Sequence, residues 1–154
     1  MQRPTTRIEV SVPEQKLTLF IDDLVAATYP ISTSKFGLGS EENSNRTPLG
    51  AFQIKEKIGA EHPIHTIFKG RLPEGSWESK QIVEDDLILS RILWLEGLDP
   101  ENANTVDRYI YIHGTNQEEL IGTPASHGCV RMRNLDMIEL YDLVAADAPV
   151  FIDA

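Results

Sequence analysis

The stretch Ser126-His127-Gly128-Cys129-Val130-Arg131 gathers a hydroxyl, an imidazole, a thiol and a guanidinium into six positions. Cys129 is the only cysteine among the 154 residues, so it has no partner for an internal disulfide and can stay a thiol. Acyl transfer by a thiol needs an ionisable sulfur, a base for its proton, and donors where negative charge develops on the attacked carbonyl oxygen. His113, sixteen positions before Cys129, is the candidate base, because a strand end and a returning loop can bring such positions face to face. An imidazole beside the thiol favours the reactive thiolate. Gly128 permits backbone conformations closed to other residues, and the amides of His127, Gly128 and Cys129 could then converge on one oxygen. Arg131 carries a permanent charge that can hold a carboxylate through two parallel hydrogen bonds. Ser126 and Tyr111 are further candidates for substrate contact, and Thr115 and Asn116 follow the base closely enough to line a cleft.

Each of these residues also has a structural reading. A free cysteine is among the most buried residue types, His113 could be a satisfied strand-end histidine, and Arg131 could pair with one of the 24 acidic residues. The company of Cys129 weighs against that, since its polar neighbours contain little that would fill a core. His113, His127 and Cys129 with a water would match a catalytic zinc arrangement. The usual closely spaced ligand pair is blurred here and no carboxylate stands beside it, so no metal and no cofactor is expected.

The elements that must position these groups are mostly strands. Ile8, Val10 and Val12 alternate with polar residues, as do Leu17, Leu19 and Ile21, and Pro-Glu-Gln between them reads as a hairpin turn. A turn at Asp22 and Asp23 leads to a third strand over LVAATYPIST, and a Pro-x-Gly turn within RTPLGAFQIKE precedes a fourth. The Ser, Gly and Asn-rich stretch from Ile31 to Asn45 reads as a surface loop. Residues 57 to 100, broken by HP, LPEGS and GLDP, read as loops and short elements covering a site. RYIYIHG is a strand that puts His113 at its end. NLDMIELYDLVAADA is the best helix, with Asn134 as its cap and Met137, Ile138, Leu140, Tyr141 and Val144 on its apolar face. APVFIDA closes the chain as a strand. The whole predicts a mainly antiparallel β protein with one long helix packed on it, in a single domain over residues 1–154.

Composition narrows the partners. Hydrophobic residues at 41% and charged residues at 25% describe an ordinary folded chain, and a net charge of −10 argues against a nucleic-acid backbone as ligand. No window of about 20 apolar residues could cross a bilayer. The opening MQRPTTRIEV lacks the apolar run of a secretory signal, so the expected location is the cytoplasm if Met1 is the native start, or the periplasm if an upstream signal has been removed.

The segment YIHGTNQEELIGTPASHGCVRMRNLDMIELYDLV resembles the catalytic core of the L,D-transpeptidases, the YkuD-type domain, whose pattern is a His followed after about fifteen residues by Ser/Thr-His-Gly-Cys. EVSVPEQKLTLF resembles that family's opening hairpin and RTPLGAFQI its Thr-Pro-x-Gly-x-Phe segment. The resemblance implies an antiparallel β-sandwich and a cysteine acyltransferase acting on peptidoglycan stem peptides. It implies Cys129 as nucleophile, His113 as base, the main-chain carbonyl of Gly114 as third member, and His127 and Gly128 at the oxyanion site. Arg131 stands where the family often has Asn.

The reaction so implied cleaves the bond between the diamino acid and D-Ala of a tetrapeptide stem through a thioester, with covalent inhibition by carbapenems. Water as acceptor makes an L,D-carboxypeptidase working on soluble muropeptides, and an amine makes a transpeptidase forming 3→3 cross-links. The absent signal and the acidic charge favour the first. A wall-binding module without chemistry is the alternative from another class.

Overall fold

A computed structural model describes residues 4–78 and 83–154. Met1 and the part of the 57–100 stretch at 79–82 lie outside the described residues. Among the described residues the strands are β1 (Thr6–Ser11), β2 (Lys16–Ile21), β3 (Leu24–Ser32), β4 (Gly50–Ile58), β5 (Thr66–Lys69), β6 (Leu72–Ser76), β7 (Leu89–Gly97), β8 (Tyr111–Gly114), β9 (Val130–Met132) and β10 (Pro149–Asp153), with one α-helix, α1 (Asn134–Leu143).

Local chemistry sets the hairpins. β1 and β2 pair antiparallel, with Ile8 opposite Leu19 and Val10 opposite Leu17, all four fully buried. The turn between β2 and β3 is Asp22-Asp23, both at positive φ (51° and 65°), the conformation that matches the twist of a two-residue hairpin.

The expected antiparallel sandwich is corrected to a closed mixed barrel. The strand order β4-β10-β1-β2-β3-β9-β8-β7 returns on itself because β4 pairs with β7 as well as with β10. Eight strands enclose an interior just wide enough for side chains to fill, so closure removes both sheet edges without leaving a void. Two pairings are parallel, β1 with β10 and β8 with β9. Parallel neighbours need a long crossover, and residues 115–129 supply one between β8 and β9.

The 57–100 stretch is corrected too, since it holds the nine-residue strand β7 that closes the ring. β5 and β6 form a hairpin outside the barrel, joined to it through Ile67 opposite Leu89. Inside, Ile8, Leu17, Ile31, Phe52, Leu93, Ile112 and Val130 form one core with Met137, Leu140, Tyr141 and Val144 from the helix side. Outside, Phe68 of β5 packs on Ile92 and Tyr111, with Trp94 and Cys129 against them.

The helix is ten residues long, shorter than expected. Val144 still donates to Leu140 O, but Ala145 N–H is taken by Thr6 Oγ1 at 2.9 Å, which pulls the chain toward β1 and ends the helix. Asn134 is not its cap. The Glu118 carboxylate accepts from the Asn134 N–H at 2.7 Å, satisfying an orphan donor at the positive helix end. No helix among the described residues is long and apolar enough to cross a membrane.

Candidate active site

β8 and β9 lie side by side with Ile112 opposite Val130 and His113 opposite Arg131. Ile112 and Val130 face the barrel core, so by alternation Tyr111, His113, Cys129 and Arg131 share the outer face, under the β5–β6 hairpin side of the molecule. Cys129 lies level with Tyr111, whose N–H donates to Sγ at 3.3 Å. The thiol in turn lies 3.5 Å from the Tyr109 carbonyl. His113, opposite Arg131, stands diagonally across from it on the same face.

The candidate base is held from behind. His113 is buried, and its Nδ1 lies 2.6 Å from Gly114 O. A carbonyl only accepts, so Nδ1 carries the hydrogen and Nε2 is left with its lone pair. Gly114 has to be glycine, since a Cβ there would come within 2.7 Å of Leu89 O. Burial holds the His113 imidazole below the ordinary histidine range, opposed by the nearby Asp86 carboxylate and the Gly114 hydrogen bond. Burial pushes the half-buried Cys129 thiol up to about 12, against the Tyr111 N–H and the positive charges of Arg108 and Arg131. The resting pair is therefore neutral thiol and neutral imidazole, where the sequence pointed to a thiolate.

The loop before Cys129 is fixed by hydroxyls. Ser126 is fully buried, donates to Cys129 O at 2.6 Å and accepts from Gly128 N–H at 3.3 Å. Ser126 also bridges Ser34, and Lys35 N–H donates to Ser126 O at 3.0 Å, tying this loop to the segment after β3. Gly128 sits at φ +125°, with the Arg46 carbonyl at 3.4 Å from where a Cβ would be. Of the three amides expected at the oxyanion, that of Gly128 is thus given to Ser126.

Arg131 is fully buried. One nitrogen, Nη1, donates to Asp86 Oδ1 at 3.0 Å and to Gln117 Oε1 at 2.7 Å. Its Nε and Nη2 are buried with no hydrogen-bond partner among the described residues. The other oxygen of Asp86 lies 3.8 Å from Nδ1 of the exposed His127. Asn116 is spent on the chain before β7, its amide on the carbonyls of Val83 and Asp85, while the Thr115 hydroxyl accepts from Gln117 N–H at 3.0 Å. Asp86 and Gln117 were not singled out from the sequence, and Thr47 entered only as the threonine of the RTPLGAFQI segment. Acidic residues are common in this chain, and nothing in the local sequence around Asp86 or Gln117 marks a partner so far away.

A cleft of about 230 Å³ is bounded by Asn43, Asn45, Arg108, Tyr109 and His127. A wider open groove of about 1440 Å³ lies at the far end of α1, between Thr5, Lys55 and Asp142, and holds none of the candidate residues. No three His, Cys, Asp or Glu among the described residues converge in a metal-holding arrangement.

Residues 5–152 match the L,D-transpeptidase catalytic domain, YkuD. This chain belongs to the YkuD family. YqjB of Bacillus subtilis (strain 168), a protein named as a candidate L,D-transpeptidase, is 31% identical over 138 residues, covering 89% of this chain and 65% of its own length. This YkuD-family chain thus spans less than two thirds of that curated relative. Among solved structures, L,D-transpeptidase 3 from Mycobacterium tuberculosis with a faropenem-derived adduct superimposes with a TM-score of 0.64 at 16% identity, over 98% of this chain and 61% of that one. LdtMt1 in complex with imipenem gives 0.62 at 17% identity, over 97% and 59%. At such identities the likeness establishes the YkuD-type fold.

Proposed function

We propose that this protein is a cysteine acyltransferase that cleaves the diamino acid–D-Ala bond of peptidoglycan tetrapeptide stems. The observation that carries the reading is the His113 ring, tied through Nδ1 to Gly114 O at 2.6 Å, beside a strand that presents Cys129 on the same face. As the carbonyl carbon approaches, the thiol proton passes to His113 Nε2 and the sulfur–carbon bond forms, with the carbonyl π pair moving onto oxygen. Collapse of that oxyanion breaks the C–N bond, and the departing D-Ala amine takes the proton from His113. The thioester is then opened by an acceptor whose proton goes to the same nitrogen.

Arg131 takes the terminal carboxylate of D-Ala in this reading, with the substrate anion replacing Asp86 on a guanidinium whose Nε and Nη2 lack acceptors. Ser126 acts through the loop rather than on the substrate, because its hydroxyl is committed to Cys129 O. Tyr111 contributes its N–H to the sulfur and its ring to the wall of the site.

The acceptor we favour is water, which makes the protein an L,D-carboxypeptidase of soluble muropeptides in the cytoplasm. The net charge of −10 supports this, since it disfavours close work on a polyanionic wall. An upstream export signal in the open reading frame would move the protein to the periplasm and favour an amine acceptor and 3→3 cross-links. Incubation with a disaccharide tetrapeptide, followed by mass analysis, distinguishes the two. Tripeptide plus free D-Ala is expected, none of it with Cys129→Ala; accumulation of cross-linked dimer would replace water by an amine. No turnover of any stem peptide, together with no covalent mass gain from imipenem, would return the wall-binding reading.

A further inference from the structure

Thr47 lies 82 residues before Cys129 and is fully buried, yet its hydroxyl reaches the nucleophile's own peptide bond. Thr47 Oγ1 donates to Gly128 O at 3.0 Å, and the same oxygen accepts from Ser34 N–H at 2.9 Å, which fixes the direction of the hydroxyl hydrogen. On the other side of the Cys129 Cα, Ser126 donates to Cys129 O at 2.6 Å. Both peptide planes that meet at the nucleophile are therefore pinned by hydroxyls from different segments. In a trans peptide the carbonyl and the next N–H point in opposite directions. Holding Gly128 O toward the buried Thr47 thus turns the Cys129 N–H the other way, and that N–H has no acceptor among the described residues. Gly128 N–H is already taken by Ser126.

We propose that Thr47 is a positioning residue that aims the Cys129 amide at the oxyanion of the acyl-transfer intermediate. Thr47 touches neither substrate nor sulfur; it acts through the Gly128–Cys129 peptide plane. The inference rests on the acyl-transfer reading above. Its energetic logic is that a preorganised donor acts where charge appears, and a donor free to rotate loses much of that effect. A glycine carbonyl at φ +125° has no side chain to restrain it, so an external hydrogen bond has to supply the restraint.

The test compares two reactions of Cys129 in the full chain. Acylation by imipenem passes through an oxyanion, whereas alkylation by iodoacetamide forms a carbon–sulfur bond with loss of iodide and develops none. Thr47→Val keeps the shape and removes the hydroxyl. It is expected to slow imipenem acylation about tenfold or more while alkylation stays within about twofold, and Thr47→Ser is expected to restore acylation. With the tetrapeptide, the loss is expected in kcat with KM little changed. If Thr47→Val proves unfolded by circular dichroism, Thr47→Ala, which removes the same hydroxyl bond to Gly128 O without placing a methyl against the Ser34 N–H, carries the same comparison with the same expected split. Equal acylation by the variant and the wild type, or parallel losses in acylation and alkylation, would overturn the role of Thr47 and leave acyl transfer standing. A wild type that alkylates but is acylated neither by imipenem nor by stem peptide would remove the acyl-transfer reading itself.

Discussion

The backbone amide of Tyr111 donates to the sulfur of Cys129 at 3.3 Å, so the proposed nucleophile is held by the strand that carries its proposed base, His113. That single donor does not offset burial, and the thiol is pushed up to about 12 while His113 is held below the ordinary range. The free enzyme should then alkylate with iodoacetamide at a rate that climbs with pH and shows no plateau below about pH 10, since thiolate is the reacting form. A plateau with its midpoint near neutrality would mean a resting thiolate–imidazolium pair instead.

The lowered His113 value has a sign of its own. Turnover needs the neutral ring, which persists to lower pH when its proton affinity is reduced. The acid limb of kcat/KM should therefore fall below the ordinary histidine value of about 6.5. Stability should follow the same group: above about pH 6.5 its contribution is fully present, and it is lost as the pH falls toward the folded-state value, because only the unfolded chain binds the proton there. His113→Gln should flatten that acid-side loss in thermal melts and lower kcat by about 10²–10⁴. An acid limb at or above 6.5 would contradict the buried, neutral ring.

Asp86 raises the proton affinity of both Cys129 and His113 through its charge. Asp86→Asn removes that charge and leaves Arg131 uncompensated, and both changes act in the same direction. Alkylation of Cys129 at pH 8 should speed up several-fold, and the acid limb should move further down, each unit being tenfold in thiolate. Because Asp86 occupies the Arg131 nitrogen that a substrate carboxylate would use, KM for the tetrapeptide should fall. A raised KM with unchanged alkylation would show that Asp86 supports the substrate site instead of competing for it.

These relationships were legible in the sequence to very different degrees. The β1–β2 hairpin could be read because Ile8, Val10, Leu17 and Leu19 alternate with partly exposed neighbours, and alternation is the signature of a half-buried strand. β7 could not, because Leu89 through Leu93 are all buried, including Ser90 and Arg91, so no period marks it as strand. Its pairing with β4 closes the barrel, and a closure between distant strands leaves no trace in either one. β9 is three residues long and sits inside the Cys129 motif, where chemistry and not periodicity drew notice. The types of Cys129, His113 and Arg131 could be read locally; their common face follows from the parallel β8–β9 register, which sequence does not encode locally.

Gly128 offers a test of the loop itself. At φ +125° a side chain is strained, and its Cβ would sit 3.4 Å from Arg46 O and 3.5 Å from Ile110 Cδ1. Gly128→Ala should cost about 1–3 kcal/mol in denaturant unfolding, the cost of holding a non-glycine residue in a sparsely populated region. Acylation by imipenem should fall with it, since the peptide plane that Thr47 anchors would rotate. Wild-type stability and acylation in Gly128→Ala would mean that the loop adopts another backbone conformation in solution.

Arg131 carries the sharpest conflict between burial and charge. Its side chain is fully shielded, whereas that of Asp86 keeps 20% of its exposure, so the pair is half-relieved by solvent on one side only. Arg131→Ala removes the guanidinium bonded to Asp86 and leaves the Gln117 carbonyl without its donor. Breaking a buried pair typically costs about 3–5 kcal/mol, and the partial exposure of Asp86 puts the expected loss at the low end of that range. Arg131→Lys keeps the charge but presents a compact ammonium in place of the planar fork, so it should recover part of the stability without recovering bidentate grip on a carboxylate. Denaturant unfolding and KM for the tetrapeptide then separate the two roles: the alanine variant loses both, and the lysine variant regains stability while its KM stays raised. A lysine variant with wild-type KM would limit Arg131 to supplying charge, and an alanine variant with wild-type KM would remove it from substrate binding.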